Sequence, residues 1–432
     1  MTSLFRHLAA CFLCLAGLPL DGQDSPQQAP GPILQVHVNA VLVPVVVRDA
    51  AGHTVGDLKQ DDFKVFDQGK LRPLSGFTIQ ENAAIEDAAK PAAGSSASTA
   101  PPAASAASAA AQPAAPKRFI VFLFDDRHFS VGDLNQVKQA ATRMLDEPLA
   151  DSDRAVVLSF LGINSGMTHA RAPLQAAVEK LKATEVYRPN QHQCPDIDYY
   201  SADQILNKNS VTEYQIAMEK AVDCGHLGLD TKPADQMVQT AAMLSLQAGD
   251  LDARETLLYL RDVVHTMSQF PGQRTLILVS PGFLSSSDDA LTLESQILDL
   301  AAGSNVTISA LDARGLSSNF VPASQNGAVS AFGIETGQPV LNQNESMREN
   351  QDIMALLADG TGGTFFHNSN DLKGGLKTLA EEPQYRYLLE FSLQDVKQNG
   401  TYHALKVEVD RKGLKLQARQ GYFAPMPLRN KK

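Results

Sequence analysis

The chain has 432 residues, of which 44% are hydrophobic and 20% charged, and its formal net charge at pH 7 is −11. This length exceeds one ordinary domain of roughly 100–200 residues, so more than one structural unit is expected. The acidic balance excludes nucleic acid as the partner, because binding to the phosphate backbone needs clustered basic side chains.

The first residues have the pattern of a secretory signal peptide. Arg6 and His7 give a weakly positive start, residues 8–20 are mostly apolar, and polar residues follow. The apolar stretch is shorter than the ~20 residues that a membrane-spanning helix needs. We therefore expect a signal peptide over residues 1–23 and a secreted or periplasmic protein with no transmembrane helix in the mature chain. A lipoprotein signal ending at Cys11 is disfavoured, because most of the apolar stretch would follow that cysteine.

Residues 33–82 predict a small β module, because 33–47 is rich in β-branched residues and 61–70 is typical of a strand that ends in a glycine turn. Residues 83–117 differ in kind, since Ala, Pro and Ser dominate and large apolar side chains are almost absent. Such a segment cannot bury enough surface to offset the entropy lost on ordering, so it is predicted to be a disordered linker.

Apolar strands alternate with helices from residue 118 to residue 382. The alternation predicts a Rossmann-like α/β domain, with a mostly parallel sheet and helices on both faces. Residues 185–235 interrupt it with a polar insertion that carries two cysteines. The predicted strands are 119–124, 154–160, 275–279, 305–311 and 364–366, and the predicted helices are 133–147, 173–183, 235–269, 288–302, 346–358 and 370–381.

Residues 383–425 return to β structure. A thin sheet has an apolar face that must be covered, so we expect these strands to pack with the N-terminal strands. The α/β domain would then be inserted between the two halves of a small β-sandwich. The predicted C-terminal strands are 385–391, 402–409 and 414–419.

Two cysteines remain after the predicted signal peptide, Cys194 and Cys224. The oxidising compartment of an exported protein favours a disulfide between them. The alternatives are two buried thiols or a metal site, and zinc is disfavoured because neither cysteine has a C-x-x-C partner.

Acidic and hydroxyl side chains follow two of the predicted strands. Asp125, Asp126, His128 and Ser130 come after the first strand of the α/β domain, and Asp312 comes after the fourth. Ligands of open α/β sheets bind beyond the carboxyl ends of the strands. Because hard divalent cations prefer oxygen ligands, these residues are candidate metal ligands.

Short segments distributed along nearly the whole chain add a family resemblance. They are 45–49, 62–63, 122–130, 271–275, 280–283, 310–316, 361–363 and 421–422. The order and spacing of these segments resemble those of the von Willebrand factor A-related proteins that are abundant in acidobacteria. The resemblance implies the von Willebrand factor A fold, while the biochemical role of that family is largely undefined.

The wider von Willebrand factor A class carries a metal-ion-dependent adhesion site (MIDAS), which consists of Asp-x-Ser-x-Ser, a distant Thr and a second distant Asp. By this resemblance Asp126 and Ser130 occupy the first and last positions, and His128 replaces the middle Ser. An imidazole is a poor ligand for Mg²⁺ and suits Mn²⁺ or Zn²⁺ better. The resemblance therefore implies weak divalent binding, with Mn²⁺ favoured over Mg²⁺.

The remaining positions of the motif are altered or ambiguous. The second Asp is missing, because Ser280 stands where that carboxylate is expected. Asp125 or Asp312 would have to supply the charge. The Thr position matches either Thr184 or Thr256.

Structural interpretations of the same residues remain open. Asp125 and Asp126 are also typical of a helix cap or of a solvated strand end. A histidine such as His128 is more often structural or at the surface than a metal ligand. Ser130 is also typical of a helix start.

We therefore expect an extracytoplasmic module that binds a protein or another envelope ligand, with a divalent cation assisting through a degenerate MIDAS. A metal-free interaction scaffold is the first alternative, and a metal-dependent hydrolase that uses Asp126 and His128 is the second. Enzymatic activity is not expected, because the sequence contains no G-x-S-x-G elbow, H-E-x-x-H motif or P-loop.

Overall fold

The computed structural model describes residues 40–50, 53–81, 116–183, 194–227, 232–316, 338–381, 383, 385–393, 396 and 401–424. All of them belong to one compact unit, Ala40–Lys432. The predicted signal peptide, the predicted linker up to residue 115 and Thr184 lie outside the described residues.

Strands and helices follow one another mainly as the sequence predicts. The strands are β1 (Ala40–Arg48), β2 (Phe63–Asp67), β3 (Lys70–Arg72), β4 (Leu74–Glu81), β5 (Arg118–Phe124), β6 (Asp153–Ser159), β7 (Gln273–Ser280), β8 (Val306–Asp312), β9 (Phe365–Phe366), β10 (Tyr385–Ser392), β11 (Tyr402–Val409), β12 (Lys415–Ala418) and β13 (Gly421–Phe423). The helices are α1 (Val131–Met144), α2 (Arg171–Lys180), α3 (Tyr199–Leu206), α4 (Val211–Cys224), α5 (Lys232–Ser268), α6 (Asp288–Gly303), α7 (Gln338–Thr361) and α8 (Leu372–Ala380), with a short 3-10 helix at Gln60–Asp62.

Strands from both ends of the chain share two antiparallel sheets, with the orders β12-β1-β10-β4 and β13-β11-β2-β3. Within the first sheet, Val45 of β1 pairs with Tyr387 on one side and with Ala418 on the other. Alternate side chains of β1 enter an apolar core that both sheets share, where Val43 and Leu389 are completely buried. The N-terminal and C-terminal strands therefore pack together, as the sequence predicts.

The α/β part of the chain is built on a five-stranded parallel sheet with the order β6-β5-β7-β8-β9. The strand β5 is apolar from Phe119 to Phe124, because α1, α2 and α8 cover one face of the sheet and α5, α6 and α7 cover the other. The chain order of the strands reverses between β5 and β7. In open α/β sheets, such a switch point opens a crevice at the carboxyl ends of the strands.

The insertion contains α3 and α4, which the sequence did not predict. Ile197, Ala217 and Val238 belong to a small core between these helices and the first half of α5. Cys194 and Cys224 form a disulfide across the insertion, with their Cα atoms 5.7 Å apart, and the predicted pairing is confirmed.

The longest helix, α5, has 37 residues. Its second half packs against the parallel sheet through Leu257, Leu260 and Val264, which are completely buried. In the part of the chain that the structure describes, no helix combines the length and apolar character needed to cross a membrane.

Candidate functional site

Polar side chains from the two central strands meet at the carboxyl edge of the parallel sheet. Asp125 follows β5, and its backbone N–H donates to the carbonyl of Val279 on β7. Its carboxylate is completely buried and accepts a hydrogen bond from the Ser280 hydroxyl at 2.5 Å. The switch point thus brings Asp125 and Ser280 together, where open α/β sheets bind ligands.

The imidazole of His128 is held between two carboxylates. Nδ1 lies 2.8 Å from Oδ1 of Asp125, and Nε2 lies 2.5 Å from Oδ2 of Asp252 on α5. The ring also stacks on Phe283, with the centroids 5.5 Å apart. Burial acts to lower the pKa of His128, but the two carboxylates outweigh burial and raise it to about 10. At neutral pH the side chain is therefore an imidazolium that donates from both ring nitrogens.

A second cation reaches Asp252 from the same loop. Nη2 of Arg127 lies 2.5 Å from Oδ1 of Asp252 and 3.0 Å from Oε2 of Glu255. Burial acts to raise the pKa of Asp252, but the hydrogen bonds and charges of His128 and Arg127 outweigh burial and lower it. The side chains of His128 and Asp252 are only 18% and 11% exposed, so water screens their pair weakly. The loop after β5 is thereby tied to α5 by two cations.

Asp126 is buried by a separate set of contacts. Its Oδ1 accepts a hydrogen bond from the N–H of Leu161 at 3.0 Å, and the hydroxyl of Ser159 also bonds to the carboxylate. Burial raises the pKa of Asp126 and the charge of Asp125 adds to this, while the two hydrogen bonds oppose it. On α5, burial and then the charge of Asp126 raise the pKa of Tyr259.

Two other predicted ligands are engaged elsewhere. Ser130 caps α1, because its hydroxyl accepts a hydrogen bond from the N–H of Asp133 at 3.1 Å and donates to the carboxylate of that residue at 2.7 Å. Asp312 forms an ion pair with Arg314 at 3.0 Å and accepts a hydrogen bond from Gln351 at 2.5 Å. The structure thus places Ser130 at a helix start and Asp312 in a local ion pair.

Of the two candidate threonines, only Thr256 lies within the described residues. It occupies α5 one turn after Asp252, so both side chains lie on the same face of the helix. Thr256 is 1% exposed, and its hydroxyl has no hydrogen-bond partner in the described part of the chain.

The predicted ligands do not form a shell for a hard divalent ion, which takes about six oxygen ligands. Asp125 and Asp312 are each engaged by a cationic side chain, and His128 donates from both nitrogens. Among the described residues, no group of three or more His, Cys, Asp or Glu side chains is suited to holding a metal ion. The residues as arranged therefore do not fit the divalent ion that the family resemblance implies.

Sequence reasoning missed Asp252, the carboxylate that completes the network. It lies within a long helix, far along the chain from the loop that it contacts. Most buried positions in the second half of α5 are apolar, including Ala253 and Leu257. A charged residue on a mostly apolar face is the signal that identifies such a position, because a buried charge needs a partner.

No protein-family model matches the chain, and no curated protein matches it. Among solved structures, proximal thread matrix protein 1 from the mussel byssus is similar over 63% of this chain, with 12% identity and a TM-score of 0.27. A structure of that protein with a zinc-occupied MIDAS motif is similar over 64%, with 11% identity and a TM-score of 0.28. The pilus adhesin SpaC from Lactobacillus rhamnosus GG, in its open conformation, is similar over 73%, with 8% identity and a TM-score of 0.27. The chain spans 48%, 48% and 44% of these three structures, which is less than half of each.

Proposed function

We propose that the chain is an extracytoplasmic binding module of the von Willebrand factor A type, which recognises a protein partner at the carboxyl edge of its parallel sheet. The disulfide between Cys194 and Cys224 supports an oxidising compartment. The switch point between β5 and β7 supports the location of the binding surface.

The observation that carries the proposal is a set of exposed apolar side chains on the loops of this edge. Val131 at the start of α1 is 59% exposed, Leu161 after β6 is 43% exposed, and Leu316 after β8 is 54% exposed. Exposed apolar side chains next to polar ones are typical of protein interfaces. Leu161 is also connected to the buried network, since its N–H donates to Asp126.

The ion pairs beneath this surface support a rigid binding edge. Because His128 and Arg127 both pair with Asp252, the loop after β5 cannot move without separating charges that are mostly buried. A surface that is already held in its binding arrangement loses less conformational entropy when a partner docks.

In this proposal docking needs no divalent ion, because the exposed apolar side chains make the contact and His128 already holds the carboxylates of Asp125 and Asp252. The cation-assisted form of binding would require His128 to release a carboxylate that it now holds. The same contacts weigh against the hydrolase alternative. A catalytic base needs a ring nitrogen that can accept a proton, and both nitrogens of His128 face carboxylates.

Pull-down from the native envelope tests the proposed surface. The baits are the wild type, Leu161→Asp and Leu316→Asp, with Leu71→Asp as the matched control, because Leu71 is 59% exposed but lies on β3 of the sandwich. We expect the two edge variants to recover about tenfold less partner, because a buried charge costs binding energy, and the control to recover as much as the wild type. Equal recovery by all variants would place the partner elsewhere. Loss of recovery with a chelator would show that a divalent ion takes part.

A further inference from the structure

A buried arginine lies where the chain passes from one sheet of the sandwich to the other. Arg419 stands between β12, an edge strand of the first sheet, and β13, an edge strand of the second. Its neighbour Gln420 donates its backbone N–H to the carbonyl of Asp359, near the end of α7, at 3.1 Å. Arg419 is only 6% exposed, so its guanidinium has lost most of its hydration.

Comparison with the other enclosed arginines shows what Arg419 lacks. Four arginines whose side chains are between 12% and 17% exposed each pair with a carboxylate, and the pairs are Arg72–Asp67, Arg118–Asp153, Arg127–Asp252 and Arg314–Asp312. The side chain of Arg419 makes no hydrogen bond and no ion pair with any described residue, and its Nε is fully enclosed. A buried donor without a partner is costly, and an unseen ligand is one of the few explanations for it.

An aromatic ring, rather than a carboxylate, faces the guanidinium. Cζ of Arg419 lies 5.9 Å from the centroid of the Tyr422 ring, which is at the outer limit of a cation–π contact. Burial lowers the pKa of Arg419 to about 10, and the influences that oppose burial come from Tyr422 and Tyr402. The guanidinium is therefore charged at neutral pH. The hydroxyl of Tyr422 is already engaged, because it donates to the carboxylate of Asp67 at 3.3 Å.

The neighbouring acidic side chain of Asp359 does not supply the counter-charge. Burial raises the pKa of Asp359, and a hydrogen bond from the side chain of Gln420 opposes the rise. A carboxylate beside a guanidinium would have its pKa lowered by that charge, and Arg419 has no such influence on Asp359. The counter-charge of Arg419 is therefore absent from the described residues.

The outer nitrogens of the guanidinium leave a way in for a ligand. Nη1 and Nη2 of Arg419 also lack partners among the described residues, but unlike Nε they are not fully enclosed. They therefore keep some contact with solvent. The two N–H groups that they direct outward form a planar fork, whose spacing matches the two oxygens of a carboxylate.

We propose that Arg419 binds a carboxylate, which approaches Nη1 and Nη2 from the solvent. One carboxylate balances the single charge of the guanidinium, whereas a phosphate dianion would leave excess negative charge in an enclosed space. A free carboxylic acid and the Asp or Glu side chain of a protein offer the same two oxygens. A ligand that binds only the folded chain stabilises it by mass action, so the carboxylate should raise the melting temperature.

This site is separate from the proposed partner surface. Arg419 lies beside the end of α7, which leads into the start of β9, whereas the proposed surface lies at the carboxyl edge of the parallel sheet. Failure of either proposal would leave the other untouched.

Calorimetric titration and thermal unfolding of the full mature chain, at constant ionic strength in chloride, test the site. The probes are acetate and the capped residue acetyl-Glu-amide, with acetyl-Gln-amide as its neutral counterpart. We expect saturable binding of one carboxylate and a higher melting temperature in its presence, and neither effect with acetyl-Gln-amide. Tighter binding of acetyl-Glu-amide than of acetate would assign the site to an acidic side chain, and equal binding would assign it to a free carboxylic acid.

Arg419→Met removes the charge but keeps an unbranched side chain that can fill much of the same space. We expect it to bind no carboxylate. In chloride alone its melting temperature should exceed that of the wild type, because an enclosed charge without a partner has been removed. The matched control is Arg143→Met, which removes an exposed arginine on α1 and should bind acetate as the wild type does.

Arg419→Lys is tested in parallel, because lysine keeps the charge but lacks the fork. Its acetate affinity should fall by about tenfold, and an unchanged affinity would count against recognition by a guanidinium.

Absence of saturable binding by the wild type, or equal affinity in Arg419→Met, would overturn the proposal. A lower melting temperature of Arg419→Met in chloride would also overturn it, since the guanidinium would then be satisfied within the fold. Tighter binding of inorganic phosphate than of acetate would overturn the assignment to a carboxylate.

Discussion

Nε2 of His128 lies 2.5 Å from Oδ2 of Asp252, so this contact joins two side chains that are 124 positions apart in the sequence. One belongs to the loop after β5 and the other to α5. Because the same imidazole also contacts Asp125, a single side chain connects the centre of the parallel sheet to the helix layer above it. The network therefore both stabilises the fold and shapes the proposed binding edge.

Replacing His128 with alanine should destabilise the protein strongly. His128→Ala leaves Asp125 and Asp252 buried without their shared cation, and we expect the free energy of unfolding to fall by about 3–5 kcal/mol in urea titrations. The control is His53→Ala, since His53 also lies beside a carboxylate, that of Asp49 at 3.5 Å, but is 82% exposed. Its loss should stay below about 1 kcal/mol. Comparable losses of unfolding free energy in both variants would show that burial does not determine how much a histidine–carboxylate pair stabilises the protein.

The same histidine predicts a dependence of stability on pH. The pKa of His128 is raised from 6.5 to about 10, so its contribution to stability is complete below pH 6.5 and is lost as the pH rises toward about 10. Between these limits the wild type should lose stability relative to His128→Gln, measured as the difference between their urea midpoints. A difference that stays constant over this range would mean that His128 is not charged in the folded protein.

The strands of the parallel sheet could be predicted from the sequence, because a strand that is buried on both faces is a short run of consecutive apolar residues. The apolar run at 119–124 predicts a strand, and β5 spans Arg118–Phe124. By contrast, α3 and α4 were missed, because they are short and are held by packing on α5 and by the Cys194–Cys224 disulfide. Neither of those supports produces a long periodic pattern in the sequence.

The sequence locates the loop of the candidate site but not its partners. Asp125, Asp126 and His128 directly follow an apolar strand, so their place at the carboxyl edge can be inferred. Whether His128 faces a metal ion or Asp252 depends on where α5 crosses that edge. That is a tertiary relationship, and no local pattern reports it.

Removing the disulfide should lower the free energy of unfolding, either of the whole chain or of the insertion alone. It closes a loop with a sequence separation of 30 residues, and loop-closure entropy predicts a loss of about 3–4 kcal/mol for Cys194→Ala combined with Cys224→Ala. The double variant avoids a free thiol, and unfolding in urea measures the loss. Unchanged stability would show that the insertion is held by the packing of α3 and α4 alone.

Gly282 should tolerate no side chain. Its φ is +84°, and an added Cβ would overlap the carbonyl oxygen of Asn350 on α7. Gly413 is the matched control, because its φ is +81° and nothing lies within 4 Å of an added Cβ. Gly413→Ala should lower the free energy of unfolding by only about 1 kcal/mol, which is the cost of a positive φ for alanine. Gly282→Ala should lower it by more, because the steric overlap adds to that cost. Equal costs in thermal unfolding would show that the loop after β7 can shift away from α7.

The last prediction concerns the divalent ion. His128 occupies the middle position of the motif and holds Asp125 and Asp252, so the wild type should give no saturable heat with Mn²⁺ or Mg²⁺ at millimolar ion.

His128→Ser restores Asp-x-Ser-x-Ser and removes the competing cation. The carboxylates of Asp125 and Asp252 would then lose the imidazolium that both contact, and the charge of Asp126 acts on Asp125. Charge count tunes affinity for hard ions. This variant should bind Mn²⁺ and be stabilised by it, since a ligand specific to the folded state raises the melting temperature. Adding Asp126→Ala to it should abolish the effect. Binding of equal strength in the wild type and in His128→Ser would show that the imidazolium does not exclude the ion.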